Sequence, residues 1–233
     1  MQFSPPLQSG TLIKRYKRFL ADIQLDTGEV ITAHCANTGA MTGCAEPGFR
    51  AFVSYHPDPG RKLAYSWQLA KDNQGHWIGI NTHLANKLVE EALATNKITA
   101  LSGYERVRRE VKPKDSNHRL DFMLSGQQQD CYVEVKSVTL LHDGQGYFPD
   151  TVTLRGQQHL QELMRLKRLG YRVVLLFCVQ HSGIHSVKAA SHLDPHYAAT
   201  LSEALAVGVE VMAWGCSINP EKIELNQQLA FKI

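Results

Sequence analysis

The hydrophobic pattern of this chain changes period near residue 83, and that change splits it into two folding problems. Before it, apolar residues alternate with polar ones. Phe19, Ala21, Ile23 and Leu25 fall on one side of a half-buried strand. Val30–Cys35, Phe49–His56, Leu63–Leu69 and His76–Ile80 read as further strands, punctuated by Asp26-Thr27-Gly28, Pro57-Asp58-Pro59-Gly60 and Asn73-Gln74-Gly75. Five short strands without a helix predict a small closed barrel of the OB type.

After it, Leu84, Leu88 and Ala92 recur with Ala85, Val89 and Leu93 at helical spacing, so residues 83–97 read as a helix. Strands are expected near Val107–Lys112, over Leu120–Leu124 and, after a polar turn, over Cys131–Leu140. A helix from Thr153 to Leu169 ends at Gly170, a residue suited to the left-handed cap. Tyr171–Val179 is nearly all apolar, as a strand buried on both faces must be. Asp194-Pro195 supplies cap and first-turn proline for a helix to Val207, stopped by Gly208, and Val209–Trp214 closes as a strand. The order αβββαβαβ predicts an α/β domain with a mixed central sheet. The expected domains are 1–82, an OB-like β-barrel, and 83–233.

Composition supports a packed, soluble protein. Of 233 residues, 43% are apolar; Lys plus Arg total 25 against 22 Asp plus Glu, a net +3 too slight to name a partner. Five cysteines without a C-x-x-C pair suggest reduced thiols in a cytosolic protein. Met1-Gln-Phe-Ser-Pro-Pro lacks the basic and apolar blocks of a signal peptide, and Val173–Val179, the longest apolar run, is far too short to span a bilayer. The expectation is a cytoplasmic protein with no membrane partner.

Three residues carry candidate chemistry: Asp121, Glu134 and Lys136. Glu134 and Lys136 are two apart in an apolar strand and share one face, with Val133 and Val135 on the other. Asp121 lies one hairpin upstream. Carboxylates brought together repel unless a cation sits between them, and a hard ion such as Mg²⁺ takes oxygen ligands of this kind. A solvated strand face is the competing reading, since Glu110-Val111-Lys112 repeats the triplet. The apolar strand and the upstream carboxylate favour the second copy as a site.

Lys14, Arg15, Lys17 and Arg18 crowd around Tyr16. Basic side chains follow phosphates while aromatics stack on bases, so Lys14, Arg15, Tyr16, Lys17, Arg18 and Trp67 are candidate nucleic-acid contacts, with Tyr65, Arg61 and Lys62 as extensions. A charged edge strand over a core of aromatics is the alternative. A second basic cluster, Arg106, Arg108, Arg109, Lys112, Lys114 and Arg119, precedes Asp121 and would ease a phosphodiester's approach. The Asn37–Cys44 loop, rich in small residues, reads either as a phosphate cradle or as a tight barrel loop. His181 and His185 straddle Gly183 and make a poor zinc pair.

Helix, three-stranded meander with D-x12-E-x-K, helix, strand: this order resembles the PD-(D/E)xK nuclease core. The resemblance is closer still to the bacterial sugar fermentation stimulation protein A family (SfsA). It is carried by Phe3-Ser4-Pro5-Pro6-Leu7, Arg15-Tyr16-Lys17-Arg18-Phe19-Leu20-Ala21-Asp22, Asn37-Thr38-Gly39-Ala40-Met41-Thr42-Gly43-Cys44, Leu101-Ser102-Gly103-Tyr104, Arg119-Leu120-Asp121-Phe122, Glu134-Val135-Lys136-Ser137-Val138-Thr139, Gly146-Tyr147-Phe148-Pro149-Asp150 and Arg155-Gly156. The family implies an N-terminal OB-like barrel, a C-terminal PD-(D/E)xK nuclease-like domain, non-specific DNA binding and a link to maltose metabolism. Asp121, Glu134 and Lys136 match the nuclease-like triad, with Mg²⁺ or Mn²⁺ as the implied cofactor. Relatives of that fold add an acid from the preceding helix, here Glu91, with Glu90 and Glu110 as alternatives. The following helix would bring Arg155, Gln157 and His159 to the site, where a solvent-facing surface is the alternative.

The expected function is a DNA-binding protein of little sequence preference, for single strands or duplex with RNA as a further candidate, bearing a divalent-metal phosphodiesterase site. The rival is a regulatory DNA-binding factor of sugar metabolism without catalysis, although no helix-turn-helix pattern supports it.

Overall fold

In the computed structural model, which describes residues 1–126 and 129–233, the first part of the chain closes into a barrel. Its strands are β1 (Gln8–Tyr16), β2 (Leu20–Leu25), β3 (Val30–Cys35), β4 (Arg50–Tyr55) and β5 (Tyr65–Lys71). β1 lies between β2 and β4, β4 pairs with β5, and β3 runs antiparallel to β2. A parallel pairing of β3 with β5, from Ala33 opposite Tyr65 to Cys35 opposite Trp67, closes the ring. The five-strand OB-like barrel is as expected, but its membership differs. β1 escapes a period-2 search because Leu12 is its only buried large apolar residue. The expected fifth strand, β6 (Trp77–Gly79), pairs with β5 outside the ring.

Trp67 is fully buried in the barrel core with Leu12, Ile23, Val53 and Ile78, and its indole N–H donates to the Leu69 carbonyl at 2.8 Å. No base can reach it. The expectation of a stacking Trp67 is therefore corrected: the ring closes the barrel interior, and its one donor is already satisfied.

The rest of the chain builds an α/β domain. Its elements are α1 (Leu84–Ala94), β7 (Tyr104–Val111), β8 (Leu120–Gly126), β9 (Cys131–Val138), β10 (Leu140–His142), β11 (Gln145–Phe148), α2 (Leu154–Arg168), β12 (Arg172–Val179), β13 (Ser186–Ala189), α3 (Pro195–Val207), β14 (Glu210–Ile218) and β15 (Ile223–Phe231). They form one mixed sheet in the order β10-β11-β13-β15-β14-β12-β9-β8-β7. β12 runs parallel to both β9 and β14, so α2 and α3 serve as crossovers packed against each other. Val173 through Val179 are fully buried at the sheet centre. The expected strand Cys131–Leu140 breaks at Thr139, and its tail, β10, crosses to the far edge. The polar turn expected after Leu124 falls partly on residues 127–128, outside the described residues.

The helix ends follow local chemistry. The Thr153 hydroxyl accepts from the Gly156 N–H at 3.1 Å, capping α2. Asp194 caps α3 through Tyr197 N–H at 2.9 Å and also accepts the Thr153 N–H at 2.9 Å, joining the two helix starts. α1 lies on the opposite face. It buries Leu84, Leu88 and Val89 in a core shared with Phe52 and Leu69 of the barrel and with Phe122, Val133 and Val135 of the sheet. One apolar cluster thus fixes the barrel against the sheet. All five cysteines are buried free thiols, and no helix among the described residues is long and apolar enough to cross a membrane.

Candidate active site

β8 and β9 pair as far as Phe122 opposite Val133. One further step would set Asp121 opposite Glu134. There the ladder stops, and the Asp121 carboxylate takes over: its Oδ2 accepts the Val135 N–H at 2.7 Å where a strand carbonyl would otherwise sit. Oδ1 accepts from the Asn86 side-chain amide of α1 at 2.7 Å. The strands part at this point and open a cleft of about 510 Å³.

Glu134 and Lys136 share a face, as the strand period requires, but that face is not solvated. Glu134 is 2% exposed. Its Oε1 accepts from Lys136 Nζ at 2.6 Å and from His159 Nδ1 of α2. The Arg155 Nε–H donates to His159 Nε2 at 3.3 Å, which fixes the ring with its proton on Nδ1, toward Glu134. Glu134 Oε2 is buried, and no group among the described residues hydrogen-bonds to it.

These surroundings drive the two carboxyls apart. Asp121 is pushed up to about 6, first by burial and then by the charge of Glu134, against the Val135 N–H and Asn86. Burial also pushes Glu134 up, but the Lys136 charge and the His159 hydrogen bond outweigh it and hold the group below its ordinary value. The pair is asymmetric: one firmly ionised, one easily protonated.

The barrel supplies a wall of the cleft. Asn37, Thr38 and Gly39 line it together with Asn86, Lys87, Arg109, Glu110, Asp150 and Arg155. This loop is not an amide cradle for phosphate. Gly39 N–H donates to Asn37 Oδ1 at 2.9 Å and Met41 N–H to Asp150 Oδ2 at 3.3 Å. A Cβ on Gly39 would lie 2.3 Å from Asp150 Oδ2, so only glycine allows this approach. Arg15 donates to the carbonyls of Asn37 (2.9 Å), Gly39 (3.1 Å) and Arg18 (2.7 Å), while Arg18 donates to Thr38 O at 2.7 Å.

Several expected site residues therefore change role. Arg15 and Arg18 are turned onto loop carbonyls rather than held out for phosphate. The Tyr16 hydroxyl donates to Asp22 at 3.1 Å, and Lys14 lies over the Tyr16 ring, 3.6 Å from Asp22. Lys17 is exposed at the hairpin tip. Glu91 is not at the cleft, because it pairs with the Met1 ammonium at 2.9 Å. Glu90 pairs with Arg109 at 2.9 Å, and only Glu110 of the three acids lines the cleft. Gln157 is also displaced, its amide spent on Asp194 at 3.1 and 3.2 Å. Arg155 and His159 do reach the site. Sequence reasoning missed Asn86, Lys87 and Asp150; Asp150 stood in a quoted motif without a role, and a polar residue bordering the apolar stripe of α1 was the only signal for Asn86.

Among the described residues, no group of three or more His, Cys, Asp or Glu is arranged to enclose a metal ion. The donor set still fits a hard cation: two carboxylates on one cleft, one with an unpartnered buried oxygen, and an amide beside them.

The chain matches the SfsA N-terminal OB domain over residues 13–80 and the sugar fermentation stimulation protein RE domain over residues 83–222. It is 60% identical over 230 residues to a sugar fermentation stimulation protein homolog of Pseudoalteromonas atlantica, covering 98% of each chain. A homolog from Shewanella sp. strain MR-4 is 53% identical over 234 residues, covering 100% of both. Among solved structures, Pyrococcus furiosus SfsA, described as in complex with Ca²⁺, superimposes with a TM-score of 0.88 at 28% identity, covering 100% of this chain and 98% of that one. Two matched domains in the same order, with full-length relatives above half identity, settle the kinship: the chain belongs to the sugar fermentation stimulation protein (SfsA) family.

Proposed function

We propose that this protein binds nucleic acid with little sequence preference and hydrolyses phosphodiester bonds with the help of Mg²⁺ or Mn²⁺. The observation that carries the reading is Glu134 Oε2, a buried carboxylate oxygen without a partner among the described residues, across the cleft from a second carboxylate raised by burial and by the charge of Glu134. A buried polar atom left unpaired is costly unless a ligand completes it. Asp121 and Glu134 would hold the cation. That a relative of the same fold is described with Ca²⁺, another oxygen-seeking divalent ion, supports the assignment.

When bound, the ion polarises the scissile phosphate and lowers the pKa of a water. The chain's own groups do the rest. The Asn86 amide and the Val135 N–H orient Asp121, and His159 fixes the Glu134 carboxylate. Lys136 Nζ, 2.6 Å from Glu134, is placed to donate to an attacking water or a developing phosphorane charge. Arg155, Lys87 and Lys17 offer charge for phosphates outside the reacting centre, contacts that carry no sequence information. Incubation of the purified protein with labelled single-stranded, duplex and RNA substrates, in Mg²⁺, Mn²⁺ or EDTA, tests the reading. Cleavage in metal that stops in EDTA and in Asp121→Asn is expected. Binding without any cleavage would leave a non-catalytic nucleic-acid-binding factor, the form a regulatory role would take.

A further inference from the structure

A second groove, of about 370 Å³, runs beside the cleft along the outside of the barrel. The two share His83 and Lys87 at the start of α1, so the groove adjoins the cleft at these two side chains. The groove floor is polar where a barrel flank packed under a terminal segment would ordinarily be apolar. Ser54, Ser66 and Gln68 are each 7–8% exposed, and each is hydrogen-bonded. Gln68 Nε2 donates to Ser54 Oγ at 2.8 Å and Gln68 Oε1 accepts from Asn81 at 2.9 Å. Ser54 Oγ also meets His56 Nε2 at 2.9 Å, and Arg61 donates to Ser66 Oγ at 3.0 Å. Such a network holds its donors in place before any ligand arrives.

The charge of the lining has one sign. Arg61, Lys87 and three histidines (His34, His56 and His83) line the groove, and no Asp or Glu does. Among the described residues neither Arg61 nor Lys87 has a carboxylate within ion-pair distance. Phe3 and Leu7, half-buried against the core, give the groove an apolar edge. An anionic chain with flat apolar units matches this lining, and a basic groove beside an apolar surface is the usual platform for a single strand with unpaired bases.

We propose that this groove is a subsite for single-stranded nucleic acid, receiving the phosphodiester backbone next to the bond held at Asp121 and Glu134. The path of the strand from groove to cleft rests on the phosphodiesterase reading of the cleft; the groove's affinity for a strand does not. Arg61 and Lys87 contact phosphate, and the serine–glutamine network keeps Arg61 and His56 aimed along the strand.

The test is fluorescence anisotropy of the full-length protein in EDTA, with random-sequence single-stranded 12-mers and matching duplexes across a salt series. Arg61→Ala should weaken single-strand binding several-fold and lower the salt slope by about 0.7 for the lost phosphate contact, with little effect on duplex. Lys87→Ala, which also removes a cleft contact, should lower the single-strand slope by a similar amount, and the double variant should lose about twice the slope. Melting curves check that both variants fold, which is expected because both side chains are exposed. An unchanged slope in Arg61→Ala overturns the subsite, and an equal loss for duplex overturns the single-strand assignment. Arg61→Ala binding and cutting single strands like wild type would remove the groove while leaving the cleft reading intact. Binding through Arg61 by a protein that never cuts would do the reverse.

Discussion

The Asp121 carboxylate accepts the backbone N–H of Val135, the residue between Glu134 and Lys136, at 2.7 Å. A side chain here replaces a strand: the hydrogen bond that would have continued the β8–β9 ladder instead fixes an acid at the mouth of a cleft. Asp121 is thereby positioned by the backbone of the strand whose carboxylate repels it.

That repulsion can be relieved. Asp121→Asn removes one like charge and keeps both hydrogen bonds if the Asn86 amide flips to present its oxygen. In EDTA above pH 6 the variant should melt a few degrees higher than wild type. It should lose most of the melting-temperature rise that Mg²⁺ or Mn²⁺ gives the wild type, since a ligand stabilises only the state that binds it. Thermal melts over a metal titration check both outcomes.

The pH dependence has a defined sign. The folded-state value of Asp121, about 6, lies above its ordinary 3.8, so the folded protein holds this proton more tightly than the unfolded one. The contribution to stability is fully present below pH 4 and is lost as pH rises toward 6. Asp121→Asn should flatten that part of the stability curve. A cation must displace the same proton, so divalent affinity should fall up to tenfold for each pH unit below 6, measurable by calorimetry at pH 5, 6 and 7.

Arg15 makes a separate prediction. Its Nη2 reaches the carbonyls of Asn37 and Gly39 in this loop and of Arg18 in the β1–β2 turn, sharing two N–H groups among them, and a hydrogen bond from a charged donor contributes about 1.5–3 kcal/mol. Arg15→Ala should loosen the 37–41 loop. Amide hydrogen exchange at Gly39 and Met41 should quicken by an order of magnitude or more, while exchange in β12 stays unchanged.

Trp67→Ala should cost about 3–5 kcal/mol, the usual penalty for emptying an aromatic core site. Trp67→Phe should retain most of the stability and all nucleic-acid affinity. A loss of affinity in a fully folded Trp67→Phe would return the ring to the binding surface.

Trp67 also marks the limit of what the sequence made legible. Period 2 places it on a strand with Tyr65 and Leu69, but only ring closure through the β3–β5 pairing decides which face becomes the interior. The same limit hid β1, whose single buried large apolar residue is tethered by neighbours far along the chain. Asp121, Glu134 and Lys136 were readable because they are local: a hairpin and a two-residue spacing suffice to place them on one side. Glu91 and Gln157 misled because a helix offers several faces, and partners remote in sequence, Met1 and Asp194, chose for them. Asn86 and the 37–39 wall depend on how the barrel docks through α1, which no local pattern encodes.

Lys136 and His159 should separate under mutation although both touch Glu134 Oε1. The Lys136 charge is the largest single influence holding Glu134 ionised against burial, and His159, whose hydrogen bond acts in the same direction, fixes the carboxylate's orientation. Lys136→Met keeps the chain length, removes the charge and leaves a buried anion with less compensation. It should destabilise the metal-free protein by a few kcal/mol, since breaking one partner of a buried pair costs about 3–5. Divalent binding should offset much of that loss, because the cation restores positive charge beside Glu134. The melting-temperature gain with Mg²⁺ should therefore be larger in Lys136→Met than in wild type, while cleavage falls at least a hundredfold for want of the donor. His159→Gln retains a donor toward Glu134 and should lose far less of both. Metal-dependent melts paired with single-turnover cleavage measure the split. A Lys136→Met variant with no metal response would show that the lysine helps build the cation site instead of serving the reaction beside it.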